Sequence, residues 1–118
     1  MDDDDVVLKF VELRRELHAI DQKTRRAAKR ADFLDQLEHD VGEELVRLRY
    51  LKSDISGAGG FISESLKQIR QREVSDGKAR ELYDEAAEYV EYAGAELKDI
   101  RVPLLRDAGA DLRFKIDY

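Results

Sequence analysis

Two histidines, a glycine cluster and five tyrosines are the residues of this chain whose types and spacing could do chemistry. His18 and His39 stand 21 residues apart, three full heptads, which gives them equivalent positions on one continuous helix. His39 has Asp35 and Glu43 one turn away on either side, a spacing suited to metal ligation. No Glu-x-x-His pair of the di-iron bundle type accompanies them. In a chain that is 41% charged, carboxylates fall beside a histidine by chance, so both are read as surface histidines next to an apolar seam. Neither has a partner nucleophile, and an enzyme is not expected. With no Cys, disulfides, thiol nucleophiles and cysteine metal sites are excluded.

The stretch GAGGFISES, residues 57–65, has the look of a phosphate-binding glycine loop opening a helix. Such loops follow a β-strand and carry a Lys-Ser/Thr pair or a third spaced glycine; this one follows a helical pattern and lacks both. It is read as a plain turn, with no cofactor. The tyrosines are read as packing groups with a polar tip.

A basic run, Lys23, Arg25, Arg26, Lys29 and Arg30, is followed by an acidic one, Asp32 to Asp40. A nucleic-acid footprint would need a stacking platform or a recognised reading motif beside it, and neither is present. The chain as a whole has 27 acidic against 21 basic residues, net −6, which disfavours affinity for nucleic acid or anionic lipid. The acidic start, MDDDDVV, is the wrong charge for a secretory signal, and no apolar run approaches the ~20 residues that cross a bilayer. A cytoplasmic protein without nucleic-acid or membrane partners is expected.

The elements that must position these residues are helical. Starting at Phe10, alternate steps of three and four land on Leu13, Leu17, Ile20, Thr24, Ala27, Ala31, Leu34, Glu38, Val41, Leu45, Leu48, Lys52 and Ile55; eleven of the fourteen are apolar. That heptad stripe, uninterrupted by proline, predicts one long helix over about 4–55 with a coiled-coil-like seam. Gly42 is its weak point, costing about 1 kcal/mol relative to Ala. Phe33, Leu37, Val46 and Leu51 widen the apolar face beyond the seam.

SGAGG, residues 56–60, then predicts a helix end and a reversal. A short amphipathic helix is expected over about 61–74, followed by an N-cap and glycine at Ser75-Asp76-Gly77. A third helix over about 77–101 carries Leu82, Ala86, Val90, Ala93, Leu97 and Ile100, and Pro103 forces its end near Ile100. Reversal near Ala58 sets residue i against about residue 116 − i. Lys23, Arg26 and Arg30 then meet the stretch rich in Glu85, Glu88 and Glu91, and the basic run becomes one half of an internal fastening. Such pairs select register more than they stabilise.

The last segment, DLRFKIDY, alternates with a strand's period: Leu112, Phe114, Ile116 and Tyr118 to one side, charges to the other. It must fold back on the helices, pair with a second copy or add to another protein.

The fold expected is therefore all-α: an antiparallel hairpin, or three-helix coiled-coil-like bundle, forming a single domain over 1–118, with one long helix, two shorter return helices and an extended tail over 103–118. The function expected is a non-enzymatic, scaffold- or adaptor-like protein that binds a protein partner, itself, or both. Its contact residues are expected among Phe33, Leu37, Val41, Leu51, Leu112, Phe114, Ile116 and Tyr118, because the face over 33–51 is wider than a single return arm covers. Two alternatives are a small acidic chaperone or inhibitor, of phage or secretion type, bound to a protein target, and a helical metal-binding protein.

Overall fold

The computed structural model describes residues 3–104, and these form three α-helices with no strand among them. They are α1 (Asp3–Gln36), α2 (Gly42–Arg70) and α3 (Asp76–Asp99), and each packs against both of the others. The all-α bundle follows from three amphipathic stripes that can hide only against one another. Helix boundaries differ from the sequence reading in two places, for definite reasons.

The run expected to be a single helix over 4–55 is interrupted between Gln36 and Gly42. The end of α1 is a Schellman-type cap: the His39 N–H donates to the Leu34 carbonyl and the Glu38 N–H to the Asp35 carbonyl, each at 2.9 Å. Glu38 supplies the left-handed residue, at φ 66°. Val41, 1% exposed, closes the connection from inside while its carbonyl accepts the Leu45 N–H at 2.9 Å. The heptad stripe continues through this connection because Val41, Leu45 and Leu48 keep their spacing on the second helix. Periodicity is therefore the same for one helix or for two.

The converse correction concerns SGAGG. Residues 56–60 lie inside α2, and no glycine of the described chain has positive φ. Ala58 is buried between Ile55 and Ile62 on the core-facing stripe. Burial of that stripe against α1 offsets the poor helix propensity of three glycines. The turn itself lies at Gln71–Ser75, where the α1 cap is repeated: the Glu73 N–H donates to the Gln68 carbonyl at 2.9 Å and the Arg72 N–H to the Ile69 carbonyl at 3.1 Å. Arg72 is the left-handed residue, at φ 57°. An L-residue is disfavoured there by about 1–2 kcal/mol, partly offset by the smaller entropy it loses on folding. Arg72→Gly should therefore stabilise the fold by about 0.5–1 kcal/mol, read as a raised urea midpoint with unchanged m-value. The α3 start is as the sequence implies: the Ser75 Oγ accepts the Lys78 N–H at 3.2 Å. Its helical residues end at Asp99, with Ile100 as C-cap three residues before Pro103.

With turns near residues 38 and 72, the chain runs up, down and up. In the antiparallel α1/α2 pair, Leu17 lies beside Gly59, where an added Cβ would be 3.7 Å from Leu17 Cδ2. In the antiparallel α2/α3 pair, Arg47 meets Asp99 and Phe61 meets Tyr89. The α1/α3 pair is parallel. Phe10 stacks edge-on against Tyr83 with centroids 5.5 Å apart, and Lys9 Nζ lies 5.7 Å from the same ring. Farther along, a Cβ at Gly94 would come within 3.4 Å of Ile20 Cδ1, so the missing side chain lets α1 and α3 approach.

The core runs the length of the bundle. Phe10, Leu34, Leu48, Leu51, Ile62 and Leu66 are its largest fully buried apolar side chains. Thr24, also fully buried, donates its hydroxyl proton to the Ile20 carbonyl at 2.8 Å, so its own donor is satisfied. The parallel α1/α3 arrangement overturns the charge register in which residue i faces about 116 − i. Among the described residues no carboxylate pairs with Lys23, Arg26 or Lys29, and Arg25 pairs within its own helix with Asp21 at 3.0 Å. One member of the basic run does fasten. Arg30 Nη2 donates to the Val102 carbonyl at 3.3 Å, tying the segment after α3 to α1.

Candidate interaction surfaces

The positions expected to make intermolecular contacts divide when the long helix folds. Val41 and Leu51, at 1% and 0% exposure, are core residues. The break brings α2 back on α1 and takes Val41 and Leu51 into the core, but of the other residues that widen the face over 33–51 Val46 stays 47% exposed. Leu37 is half-buried in the α1/α2 connection, while Phe33 stays 46% exposed at the end of α1. Leu112, Phe114, Ile116 and Tyr118 lie outside the described residues.

The metal constellation dissolves for the same reason. Asp35 remains in α1, His39 is in the connection and Glu43 begins α2, so the three no longer share a helix face. His18 is exposed on α1, and among the described residues no group of three or more His, Cys, Asp or Glu could hold a metal ion. The glycine cluster offers no phosphate cradle, because inside a helix its amides are committed to carbonyls one turn back. No described helix is long and apolar enough to cross a membrane.

A different surface emerges from the tyrosines. On α3 the buried stripe is Ala79, Leu82, Ala86, Val90 and Ala93, which directs Tyr89 and Tyr92 off to the side facing α2. On α2 the residues on the matching edge are Arg47, Tyr50 and Phe61. Phe61 and Tyr89 pack edge-on with ring centroids 5.3 Å apart at 90°, and Arg47 Nη2 meets Asp99 Oδ2 at 3.0 Å. Arg47 also donates to the Asp99 carbonyl at 3.3 Å, so a cation caps the C-terminal end of α3. Between these two fixed points Tyr50 and Tyr92 stand 67% and 62% exposed, and Tyr89 is 43% exposed.

Acids flank the rings. The Tyr89 hydroxyl donates to Glu85 Oε1 at 2.7 Å. That bond, with some desolvation and the charges of Glu85 and Glu88, raises the Tyr89 phenol above its usual range, so the ring stays a neutral donor. Glu96 lines the shallow depression beside Arg47 and Tyr92; its Oε2 is shielded from solvent and accepts no hydrogen bond from the described residues. The face thus combines aromatic rings, one arginine and acceptors at its edge.

Tyr83 packs into the bundle as the sequence suggests, and Tyr89 packs in part, against Phe61, whereas Tyr50 and Tyr92 stand mostly in solvent. The signal for them was available. Tyr89 and Tyr92 fall between the seam positions of α3, off the stripe that the core covers, so Tyr89 keeps 43% exposure even with Phe61 packed against it and Tyr92 keeps 62%. No family model, curated protein or solved structure matches this chain, so its surfaces are read from their chemistry alone.

Proposed function

We propose that the protein is a non-enzymatic interaction module of the cytoplasm that associates with itself through the α2/α3 aromatic face. The observation that carries this reading is the row of Tyr50, Tyr89 and Tyr92 exposed beside Phe61 and Arg47. Tyrosine and arginine give large contact area at modest entropic cost, and they are enriched where interfaces form. Two such faces brought together about a two-fold axis perpendicular to the helices set rings against rings and bring the Arg47 end of each face to the Glu85 and Glu88 end of the other.

Tyr50→Lys with Tyr92→Lys is the direct test. Both side chains point largely into solvent, so the thermal midpoint should hold to within a few degrees while concentration-dependent sedimentation disappears. A wild-type protein that sediments as a strict monomer throughout the accessible concentration range would remove self-association from the reading.

A second reading has its own observation. Glu85, Glu88, Glu96 and Asp99 border the same rings, which favours a basic protein target masked by this face, as a small acidic chaperone or inhibitor would do. In that case the wild-type protein is monomeric alone and captures a basic target with salt-sensitive affinity.

A further inference from the structure

The face between the parallel helices α1 and α3 holds an open groove of about 1060 Å³, with Ile20, Ala27, Ala87 and Leu97 among its partly covered apolar lining. It is at the upper end of the size of a ligand site. It runs from the level of Leu13 and Tyr83 to that of Arg30 and Ile100, 17 helical residues or ~26 Å. Its charges are sorted along its length. Arg30 stands at its upper end, Arg26 and Lys98 share one level just below it and Lys23 comes next, while Glu16 and Glu91 stand lower down.

The chain leaves α3 at this upper end and is tied there. Ile100 and Val102 are each 8% exposed, and Arg30 holds the Val102 carbonyl at 3.3 Å. Beyond Val102 come Pro103 and Gly109, residues suited to a reversal, and then DLRFKIDY. Eight extended residues span ~26 Å, the length of the groove. Asp111 and Lys115 are four residues apart in this segment, ~13 Å when extended. The Arg26/Lys98 level and the Glu16/Glu91 level lie ~13 Å apart along the helices.

We propose that residues 111–118 dock in the α1/α3 groove of their own chain, running antiparallel to both helices. Leu112, Phe114, Ile116 and Tyr118 face the groove. Asp111 lies at the Arg26/Lys98 end, and Lys115 lies at the Glu16/Glu91 end. The groove is then a binding site for an extended segment with an apolar residue at every second position, filled in cis. The groove adjoins the α2/α3 face at Ala95 and Lys98, which line both, but the docking does not depend on the function proposed for that face.

Because the chain has no cysteine, crosslinking in the full-length protein tests this cleanly. Ala95→Cys with Arg113→Cys places one thiol on the groove's rim and one on the polar side of the segment, leaving its four apolar side chains and both aligned charges intact. Ser56→Cys with Arg113→Cys places the first thiol on the α1/α2 side instead. The expected result is an intramolecular disulfide that forms at least about tenfold faster in the first variant than in the second, independent of protein concentration. Adding Leu112→Ser, Phe114→Ser, Ile116→Ser and Tyr118→Ser to the first variant should reduce its rate to that of the second. Equal rates in the two variants, or indifference to the serine substitutions, would overturn the proposal. A covalent dimer as the main product would also overturn it, by making the occupant the segment of a second copy.

Discussion

Leu51→Ala should destabilise the protein by about 3–4 kcal/mol, whereas Phe33→Ala should cost about 1 kcal/mol or less. On the apolar pattern alone the two residues belong to the same wide face over 33–51. In the folded chain Leu51 is 0% exposed and Phe33 is 46% exposed. Removing the Leu51 side chain leaves a cavity among close-packed neighbours, while truncating Phe33 returns a half-wet surface to water. Urea unfolding followed by far-UV circular dichroism separates the two. Similar small losses at both positions would mean that Leu51 is not in the core and that α2 does not fold back on α1.

Replacing Gly57, Gly59 and Gly60 together by Ala should raise stability by about 2–3 kcal/mol, with a rise in Tm on the order of 10 °C. All three lie within α2, and none has positive φ. A Cβ at Gly57 or Gly60 meets nothing within 4 Å, and at Gly59 it makes an ordinary contact with Leu17 Cδ2 at 3.7 Å. The substitutions therefore gain helix propensity without steric cost. The sign of the effect is diagnostic. Were SGAGG a reversal, its glycines would occupy left-handed conformations, and each alanine there would cost about 1 kcal/mol. Thermal unfolding of the triple variant distinguishes the two directions without any further structure.

These two expectations fall where sequence and structure diverge, and the divergence has a common cause. Glycine permits both a left-handed turn and a right-handed helix, and only its neighbours decide between them. In SGAGG, Ala58 lies on the stripe shared by Ile55 and Ile62, so continuing the helix buries a full row against α1. At Leu37–Val41 no glycine or proline takes the left-handed position, and Glu38 turns the chain at φ 66°. A sequence reading that looks for special residues finds the permissive segment and passes over the real connection. Gly42, noted as a weak point in a long helix, is in fact the first residue of α2. The expected charge fastening failed downstream of the same error, because a misplaced turn makes α3 antiparallel to α1 instead of parallel. Of the basic run, Arg30 alone among the described residues reaches across, to the Val102 carbonyl 72 residues away at the end where α1 and α3 both finish.

Several features were legible from residue types. Composition and the three-to-four spacing imply helices; Ser75 announces the start of α3 through the cap it forms with Lys78; Pro103 announces its end at Asp99. The α3 stripe of Leu82, Ala86, Val90 and Ala93 is buried as its spacing requires. These are local properties, in which a few neighbouring residues fix the outcome by hydrogen bonding or by sterics. The surfaces were not local. Whether Tyr92 packs or stands in water, and whether Leu51 is contact or core, depends on which helix lies beside it and in which direction it runs. A hydrophobic period records that a face must be covered but carries no information about what covers it. By itself the sequence determined that the described residues are helical and where α3 begins and ends. Tertiary packing decided where the first apolar run folds back, and through that which aromatic rings were left outside, because burial of the shared stripe outweighs the local preference of any single residue along it.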